Sequence, residues 1–116
     1  MVNKLVTKES LEKLLQNDDI CMHVVGRALI AIYNRQLRKD KRVNHVYKHL
    51  MGFTLEDHKV GISIALYYKL NGYLTIKQVR YWLVFDSNRT YRIVKYHRQL
   101  NLVARMKRRS QSRDMR

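Results

Sequence analysis

The chain has 116 residues, a formal net charge of +15, an apolar fraction of 46%, no proline and a single cysteine. This length and apolar fraction predict one domain with a real core, and the lone Cys21 excludes an intrachain disulfide. With no apolar run of the ~20 residues that a membrane span needs and no signal peptide at its start, we expect a cytosolic protein. Its charge favours nucleic acid as the partner, ahead of an acidic protein surface or an anionic membrane.

The positive charge is concentrated in two zones. Residues 21–53 carry seven basic and one acidic group, and residues 89–116 carry ten and one. Residues 1–20 sum to −1 and residues 54–88 to +1. Charge of one sign at this density exceeds what solubility requires, so it favours a surface that meets phosphates over a solvated helix face.

Helical periodicity predicts the first two elements. Thr7 or Ser10 caps a short helix that runs to about Gln16. Residues 20–38 then form a long core helix with apolar residues at a three-and-four spacing. Gly26 in its middle costs about 1 kcal/mol relative to alanine, so we expect a close crossing with another helix there.

The middle of the chain begins with a segment that has no clear period. We interpret residues 43–53 as a loop or a short extended segment. Residues 54–57, Thr-Leu-Glu-Asp, are similar to a capping box, and in this interpretation Asp57 is an acid that complements the dipole of the helix it starts. The helix is predicted to run to Asn71 and to end at Gly72 in the left-handed conformation.

A second capping box, Thr75 with Gln78, predicts a short helix that runs to about Phe85 and buries Trp82. With the preceding helix and glycine turn, this pattern is similar in outline to a helix-turn-helix. Bulky Tyr68 stands four residues before the turn glycine, where that motif has a small residue, so we favour an ordinary helical hairpin. In a true motif the residues facing the bases would be Lys77, Gln78 and Tyr81.

The last quarter of the chain, residues 89–116, is predicted to start as an amphipathic helix capped by Asn88 or Thr90. The stripe that docks this helix on the core consists of Ile93, Tyr96, Leu100 and Val103. The predicted fold class is mainly α, a compact bundle of four or five helices with a basic, partly disordered C-terminal tail. We expect residues 1–105 to form the single helical domain and residues 106–116 to form the tail.

The sequence contains little that could support catalysis. His45 and His49 are four residues apart, but their segment is not convincingly helical and no second pair completes a zinc site. The chain has no Gly-rich phosphate loop, no serine elbow and no carboxylate cluster. We therefore predict a protein that is not an enzyme and that uses no cofactor and no metal.

Within these two basic zones, residues 35–48 and 89–109 are predicted to contact phosphates and to meet on one face of the fold. Tyr47 and Tyr91 lie among the cations and could stack on unpaired bases. The predicted nucleic-acid-binding residues are Arg35, Arg38, Lys39, Lys41, Arg42, Tyr47, Lys48, Arg89, Tyr91, Arg92, Lys95, Arg98, Arg105, Lys107, Arg108 and Arg109.

Several short strings support one further expectation. They are Arg27-Ala28-Leu29, Asn34-Arg35-Gln36, Gly52-Phe53-Thr54 with Asp57, Gly72-x-Leu74-Thr75-x-x-Gln78-Val79-x-x-Trp82, and Ile93-x-Lys95-Tyr96-x-x-Gln99-Leu100. Over roughly residues 22–103 the chain thereby resembles a group of small uncharacterised bacteriophage proteins. The resemblance implies an accessory protein made in an infected bacterial cytoplasm, near DNA metabolism or host takeover, and it transfers no active site.

The leading hypothesis is a non-catalytic, phage-encoded accessory protein that binds nucleic acid through the phosphate backbone, using the two basic zones. Both DNA and RNA fit this hypothesis, and no membrane is involved. The alternative is a phage inhibitor or adaptor that binds a host nucleic-acid machine, as anti-CRISPR or anti-restriction proteins do. In either case we expect the protein in the cytoplasm, which is that of the host bacterium if the gene is carried by a phage.

Overall fold

The fold consists of helices packed around one central helix. A computed structural model of the chain describes residues 6–41, 52–85 and 89–114. Its elements are α1 (Lys8–Leu15), α2 (Cys21–Lys41), α3 (His58–Asn71), α4 (Ile76–Trp82), a 3-10 helix (Arg92–Tyr96) and α5 (His97–Asp114). The predicted fold class, mainly α, is confirmed. In the part of the chain that the structure describes, extended backbone pairs only in an isolated antiparallel bridge between Phe85 and Tyr91.

Helix α2 is the centre of the core, because α1, α3, α4, the 3-10 helix and α5 all pack against it. Val25, Leu29 and Ile32 of α2 are fully buried, as their spacing along one helix face predicts. Trp82 of α4 and Ile93 of the 3-10 helix complete the same core, and they too have no exposed surface. The predicted burial of Trp82 and Leu29 is therefore confirmed.

Both predicted capping residues of α1 take part in its cap. Thr7 is the N-cap residue, and its hydroxyl oxygen accepts a hydrogen bond from the Ser10 N–H at 3.1 Å. The Thr7 N–H donates to the Ser10 hydroxyl oxygen at 2.8 Å, which completes a capping box. Leu11 and Leu15 are buried by this helix, whereas Leu14 is exposed. A residue distant in sequence also binds the N-terminal segment, since the Val6 N–H donates to Asn101 Oδ1 of α5 at 2.9 Å.

The close helix crossing predicted at Gly26 is confirmed. Gly26 of α2 lies against the ring of Tyr68 of α3, and a Cβ on residue 26 would lie 2.4 Å from both Cδ1 and Cε1 of that ring. The ring is also held at its far end, where the Tyr68 hydroxyl lies 2.8 Å from His23 Nδ1. The glycine therefore lets α2 and α3 approach closely enough to pack the partly buried tyrosine ring between them.

Replacing Gly26 with alanine should destabilise the protein, although alanine is the better helix former by about 1 kcal/mol. Overpacking costs about 1–3 kcal/mol, and the ring atoms in the way include Cγ at 2.6 Å rather than the tip of a flexible side chain. We expect a net loss of up to about 2 kcal/mol in urea unfolding. In a Tyr68→Leu background the same change should become neutral or stabilising. A higher unfolding midpoint for Gly26→Ala alone would contradict the crossing.

The predicted signals around the α3–α4 turn are confirmed. Gly72 ends α3 with a φ of 77°, in the left-handed region that favours glycine. Thr75 and Gln78 form the second capping box, in which the Gln78 N–H donates to Thr75 Oγ1 at 3.3 Å and the Thr75 N–H donates to Gln78 Oε1 at 2.8 Å. The box at Thr75 and Gln78 is where the sequence predicts it. The box predicted at residues 54–57 does not form, because α3 begins at His58 and its N-cap residue makes no side-chain capping hydrogen bond.

Helix α4 ends at Trp82, three residues before the predicted Phe85. The chain then runs extended, because the Arg92 N–H donates to the Val84 carbonyl oxygen at 2.9 Å and Phe85 pairs with Tyr91. The last helical stretch begins after Tyr91, which has no capping side chain. Thr90 is therefore not the N-cap residue, and Asn88, the other predicted cap, lies outside the described residues.

The predicted C-terminal helix is divided into the 3-10 helix and α5, but its apolar stripe is confirmed. Ile93, Tyr96 and Leu100 are buried and Val103 is half-buried. Helix α5 continues to Asp114, so the predicted boundary between domain and tail, after residue 105, falls within a helix. The division into residues 1–105 and 106–116 stays a prediction. No helix in the described ranges has the length and apolarity to cross a lipid bilayer.

Candidate nucleic-acid interface

A buried carboxylate organises the basic residues that precede α5. Asp57 has no exposed side-chain surface. Its Oδ2 accepts hydrogen bonds from the Tyr96 hydroxyl at 2.6 Å and from Lys95 Nζ at 2.8 Å. Its Oδ1 accepts one from Arg92 Nη1 at 3.2 Å. Arg92 Nη1 also donates to the Tyr81 hydroxyl at 2.7 Å. We call these five residues the Asp57 network; it joins the start of α3 to α4 and to the 3-10 helix.

The interpretation of Asp57 as an acid at the start of α3 is confirmed in position, but its carboxylate is used elsewhere. Asp57 occupies the N-cap position of α3, but its side chain makes no capping hydrogen bond. Thr54, the predicted capping residue, has its hydroxyl 3.2 Å from the Tyr96 hydroxyl, and its N–H donates to the same oxygen at 3.1 Å. The reason is that a buried carboxylate needs strong donors, and two cations and a phenol supply them better than the backbone of a helix end.

The ionisation of the network follows from its hydrogen bonds. Burial by itself would raise the pKa of Asp57, but hydrogen bonds from Lys95, Tyr96 and Arg92 outweigh burial and hold that pKa below its usual value. Burial would lower the pKa of Lys95, yet Asp57 and Glu56 raise it. Burial and the hydrogen bond to Asp57 raise the pKa of the Tyr96 hydroxyl. At neutral pH Asp57 is therefore ionised, Lys95 is charged and the Tyr96 hydroxyl is neutral.

Two predicted phosphate-binding residues thus have their charges paired within the protein. Lys95 Nζ bridges Asp57 and Glu56, at 2.8 Å and 3.1 Å. Arg92 pairs with Asp57, and its guanidinium carbon lies 4.0 Å from the centroid of the Tyr81 ring. The side chains of Arg92 and Lys95 are 29% and 26% exposed. Their main role is to hold the 3-10 helix against the start of α3, rather than to present free charge.

Arg35 is also committed to the fold. It is only 9% exposed, and its Nε donates to Gln99 Oε1 of α5 at 2.8 Å. Gln99 pairs in addition with both backbone groups of Gly52, since the Gly52 N–H donates to Oε1 at 2.8 Å and Nε2 donates to the Gly52 carbonyl oxygen at 2.9 Å. Arg35 and Gln99 therefore fasten α5 to α2 and to the segment before α3. The prediction of Arg35 as a phosphate contact gives way to this structural role.

Exposed cations remain on and beside α5. Arg98 and Arg105 are seven residues apart on α5, which places them on one face of the helix, and both are exposed. Lys107 of α5 and Arg27 of α2, both exposed, border a groove of about 370 Å³ between the two helices. We call these four residues the α5 cationic surface. In the described part of the chain no salt bridge involves any of them.

A second groove, on the other side of α5, is positive as well. It lies between the N-terminus of α1 and α5, and its lining includes Lys8, Glu9, His97 and Arg98. Burial and the charges of Arg98 and Lys8 lower the pKa of His97, against the opposing effect of Glu9. The lining of this groove thus contains two cations, Lys8 and Arg98, and one acid, Glu9.

The two basic zones approach each other where α2 packs on α5, since Arg35 and Lys107 line the same groove. Arg89 is exposed, with a left-handed φ of 58°. The remaining predicted residues cannot be placed on any surface. Five of them belong to α2 or α5, and the structure describes their backbone but not their side chains. These are Arg38, Lys39, Lys41, Arg108 and Arg109. Three lie outside the described residues altogether: Arg42, Tyr47 and Lys48.

The aromatic side chains near the cations are mostly engaged within the fold. Tyr91, predicted to stack on bases, already stacks on Phe85, with ring centroids 4.8 Å apart and planes 6° from parallel. Of the residues that a helix-turn-helix would turn to the bases, Gln78 belongs to the cap of α4 and Tyr81 to the Asp57 network, whereas Lys77 is exposed. Phe85, which is predicted to end α4, is instead a surface aromatic in the extended segment after that helix.

Within the described ranges, no three His, Cys, Asp or Glu residues stand together as a metal ion would require. His45 and His49 lie outside those ranges. Comparison of the chain with protein-family models, with curated proteins and with solved structures found no match. The resemblance to bacteriophage proteins therefore stays a prediction, and the function must be inferred from the geometry of the chain itself.

Proposed function

We propose that the protein binds nucleic acid, without catalysing a reaction on it, through contacts between phosphates and the α5 cationic surface. The observation that carries this proposal is that Arg27, Arg98, Arg105 and Lys107 are exposed together on and beside one helix, with no salt bridge to an acid of the described chain. They do so in a protein of net charge +15. Neutralising phosphates with such cations releases counterions and supplies affinity that does not depend on sequence.

The spacing of the cations supports binding to the backbone rather than to bases. Two helical turns separate Arg98 from Arg105, which is about 10 Å along the helix axis. Duplex DNA carries one phosphate charge about every 1.7 Å of its axis. Both guanidinium groups can therefore contact phosphates at any position of α5 along the duplex. The grooves on the two sides of α5 add further cations, Lys8 on the side of Arg98 and both Arg27 and Lys107 on the opposite side. We therefore propose weakly selective binding, with the phage context as its setting.

The salt dependence of binding tests this proposal. If about five phosphates are neutralised, the logarithm of the association constant plotted against the logarithm of the salt concentration should have a slope of about −4 to −5 on duplex DNA. Fluorescence anisotropy with a labelled duplex measures this slope. A slope near zero, or no binding at low salt, would exclude phosphate contacts as the source of affinity.

A different surface favours a second candidate function, which is binding to a protein of a host nucleic-acid machine. Residues 54–88 are nearly neutral, and the described residues of this region include eight large apolar side chains that are exposed. They are Leu55, Val60, Leu66, Leu70, Tyr73, Ile76, Val84 and Phe85. Exposed apolar surface is typical of protein interaction sites where it forms a large patch. A pull-down from bacterial lysate distinguishes the two functions. One stoichiometric protein that survives nuclease treatment supports the second, and recovery that nuclease abolishes supports the first.

A further inference from the structure

A cleft opens at the corner between α4 and the 3-10 helix. Val84 and Phe85 run extended beside Tyr91 and Arg92, held by the hydrogen bond from the Arg92 N–H to the Val84 carbonyl oxygen at 2.9 Å. The cleft has a volume of about 210 Å³, and its lining consists of Glu56, Val84, Phe85, Arg92 and Lys95. It combines one exposed aromatic ring with charged groups that the Asp57 network holds in place.

Phe85 presents a flat surface to this cleft. One face of its ring is covered by the parallel ring of Tyr91, yet Phe85 is 60% exposed, so its other face meets solvent. The ring beneath it and the backbone pairing with Tyr91 fix the orientation of Phe85. A third planar ring laid on Phe85 would continue an existing stack, which is how single-stranded nucleic acids are held on aromatic platforms.

The charges of the cleft suit a planar heterocycle better than a phosphate. Arg92 and Lys95 are balanced by Asp57 and Glu56, so the cleft does not concentrate positive charge. The hydrogen bonds of Arg92 to Asp57 and Tyr81 all use Nη1. A guanidinium has five N–H groups, so others are left to donate to a ligand. Glu56 binds Lys95 through Oε1 and is 74% exposed, so Oε2 can accept. Donors and an acceptor beside a flat ring match the edge of a nucleobase.

We propose that this cleft binds an unpaired nucleobase, and hence that the protein binds single-stranded nucleic acid in preference to a duplex. This inference rests on the proposed function and adds to it the class of nucleic acid. Bases within a duplex are stacked on each other and cannot lie on Phe85, whereas every unpaired base has a free π-face. The α5 cationic surface would then hold the phosphates, and the Phe85 cleft would hold a base.

Substitutions at Phe85 test the inference against charge effects and against loss of fold. Phe85→Leu keeps an apolar side chain but removes the ring, Phe85→Tyr keeps the ring, and Tyr73→Leu removes an exposed ring outside the cleft. The probes are a labelled oligothymidylate, a labelled oligouridylate and a DNA duplex of the same length, all at one salt concentration. Phe85→Leu should weaken binding of both single strands roughly fivefold or more. The single-strand affinities of Phe85→Tyr and Tyr73→Leu should stay near that of the wild type. The duplex affinities of all three variants should also stay near the wild-type value.

Photocrosslinking locates the base directly. An oligonucleotide that carries iodouracil should crosslink to the peptide that contains Phe85, and crosslinks confined to α5 would overturn the inference. Single-strand affinity unchanged in Phe85→Leu, or reduced equally on the duplex, would also overturn it and would leave the exposed ring as a surface for a protein. If substitutions on the α5 cationic surface still weaken binding in that case, the proposed function stands without the cleft. If they do not, the proposed function fails independently.

Discussion

Replacing Asp57 with asparagine should destabilise the protein by about 3 kcal/mol. The substitution removes the one anion that both Arg92 and Lys95 share, and it leaves Tyr96 without a charged acceptor. Breaking a buried ion pair from one side costs about 3–5 kcal/mol. We expect the lower end, because Arg92 and Lys95 are about a quarter exposed and can recover some hydration. Urea unfolding followed by circular dichroism measures the loss.

The neighbouring acid provides a matched control. Glu56 also binds Lys95, at 3.1 Å, but its side chain is largely exposed. Exposed ion pairs contribute about 0–1 kcal/mol. Glu56→Gln should therefore lower the free energy of unfolding clearly less than Asp57→Asn does. Equal effects of the two substitutions would show that the burial of Asp57 is not what gives the network its strength.

The same substitution should alter the response of stability to acid. The pKa of Asp57 is lower in the folded protein than in the unfolded chain, so the stability it contributes is present above its unfolded pKa of about 3.9. That contribution is lost as the pH falls through the lower, folded pKa. The difference in unfolding free energy between the wild type and Asp57→Asn should therefore shrink steadily below about pH 4. A difference that does not change in this range would contradict the direction of the pKa shift.

The combined substitution of Arg98, Arg105 and Lys107 by glutamine should produce the largest change in binding. Each phosphate contact that is lost removes about 0.9 from the slope of log affinity against log salt on duplex DNA, so we expect the slope to shrink by about 2–3. Affinity at low salt should fall by an order of magnitude or more. The three side chains are exposed, so the fold should be unaffected. Anisotropy titrations at several salt concentrations give both quantities.

A second triple substitution separates position from net charge. Lys59 and Lys69 on α3 and Lys77 on α4 are exposed and lie outside the α5 cationic surface. Replacing all three by glutamine lowers the net charge by the same amount. Affinity and slope should change much less than in the α5 variant. Equal losses in the two variants would mean that binding depends on total charge, and that α5 has no special role.

Local patterns account for the part of the fold that the sequence predicts. The capping box of Thr75 with Gln78 and the left-handed Gly72 depend on residues within three or four positions of each other. The stripe through Ile93, Tyr96 and Leu100 repeats at the helical period. Even the crossing at Gly26 could be predicted, because a glycine within an apolar helix has a propensity cost that a close contact offsets.

The sequence locates the charged residues, but it does not show which of them are paired with acids in the fold. Composition marks the segment from Arg92 to Arg105 as cationic, yet which cations are paired depends on an acid 35 or more residues earlier in the chain. Arg92 and Lys95 pair with Asp57, whereas Arg98, one turn further on, forms no salt bridge with a described residue. Arg35 is another case, since its partner Gln99 is 64 residues away. No local pattern reports contacts at this distance.

The last quarter of the chain holds each earlier segment through a different side chain. Asn101 binds Val6, Gln99 binds Gly52, and Tyr96 binds Asp57. During synthesis on the ribosome, α1, α2 and α3 emerge well before these partners do, and Asp57 must stay hydrated until its cations arrive. Helices can form early because their bonds are local, but the native packing cannot close until translation is nearly finished. A nascent chain stalled before Arg89 should therefore be sensitive to protease, and the released full chain should resist it.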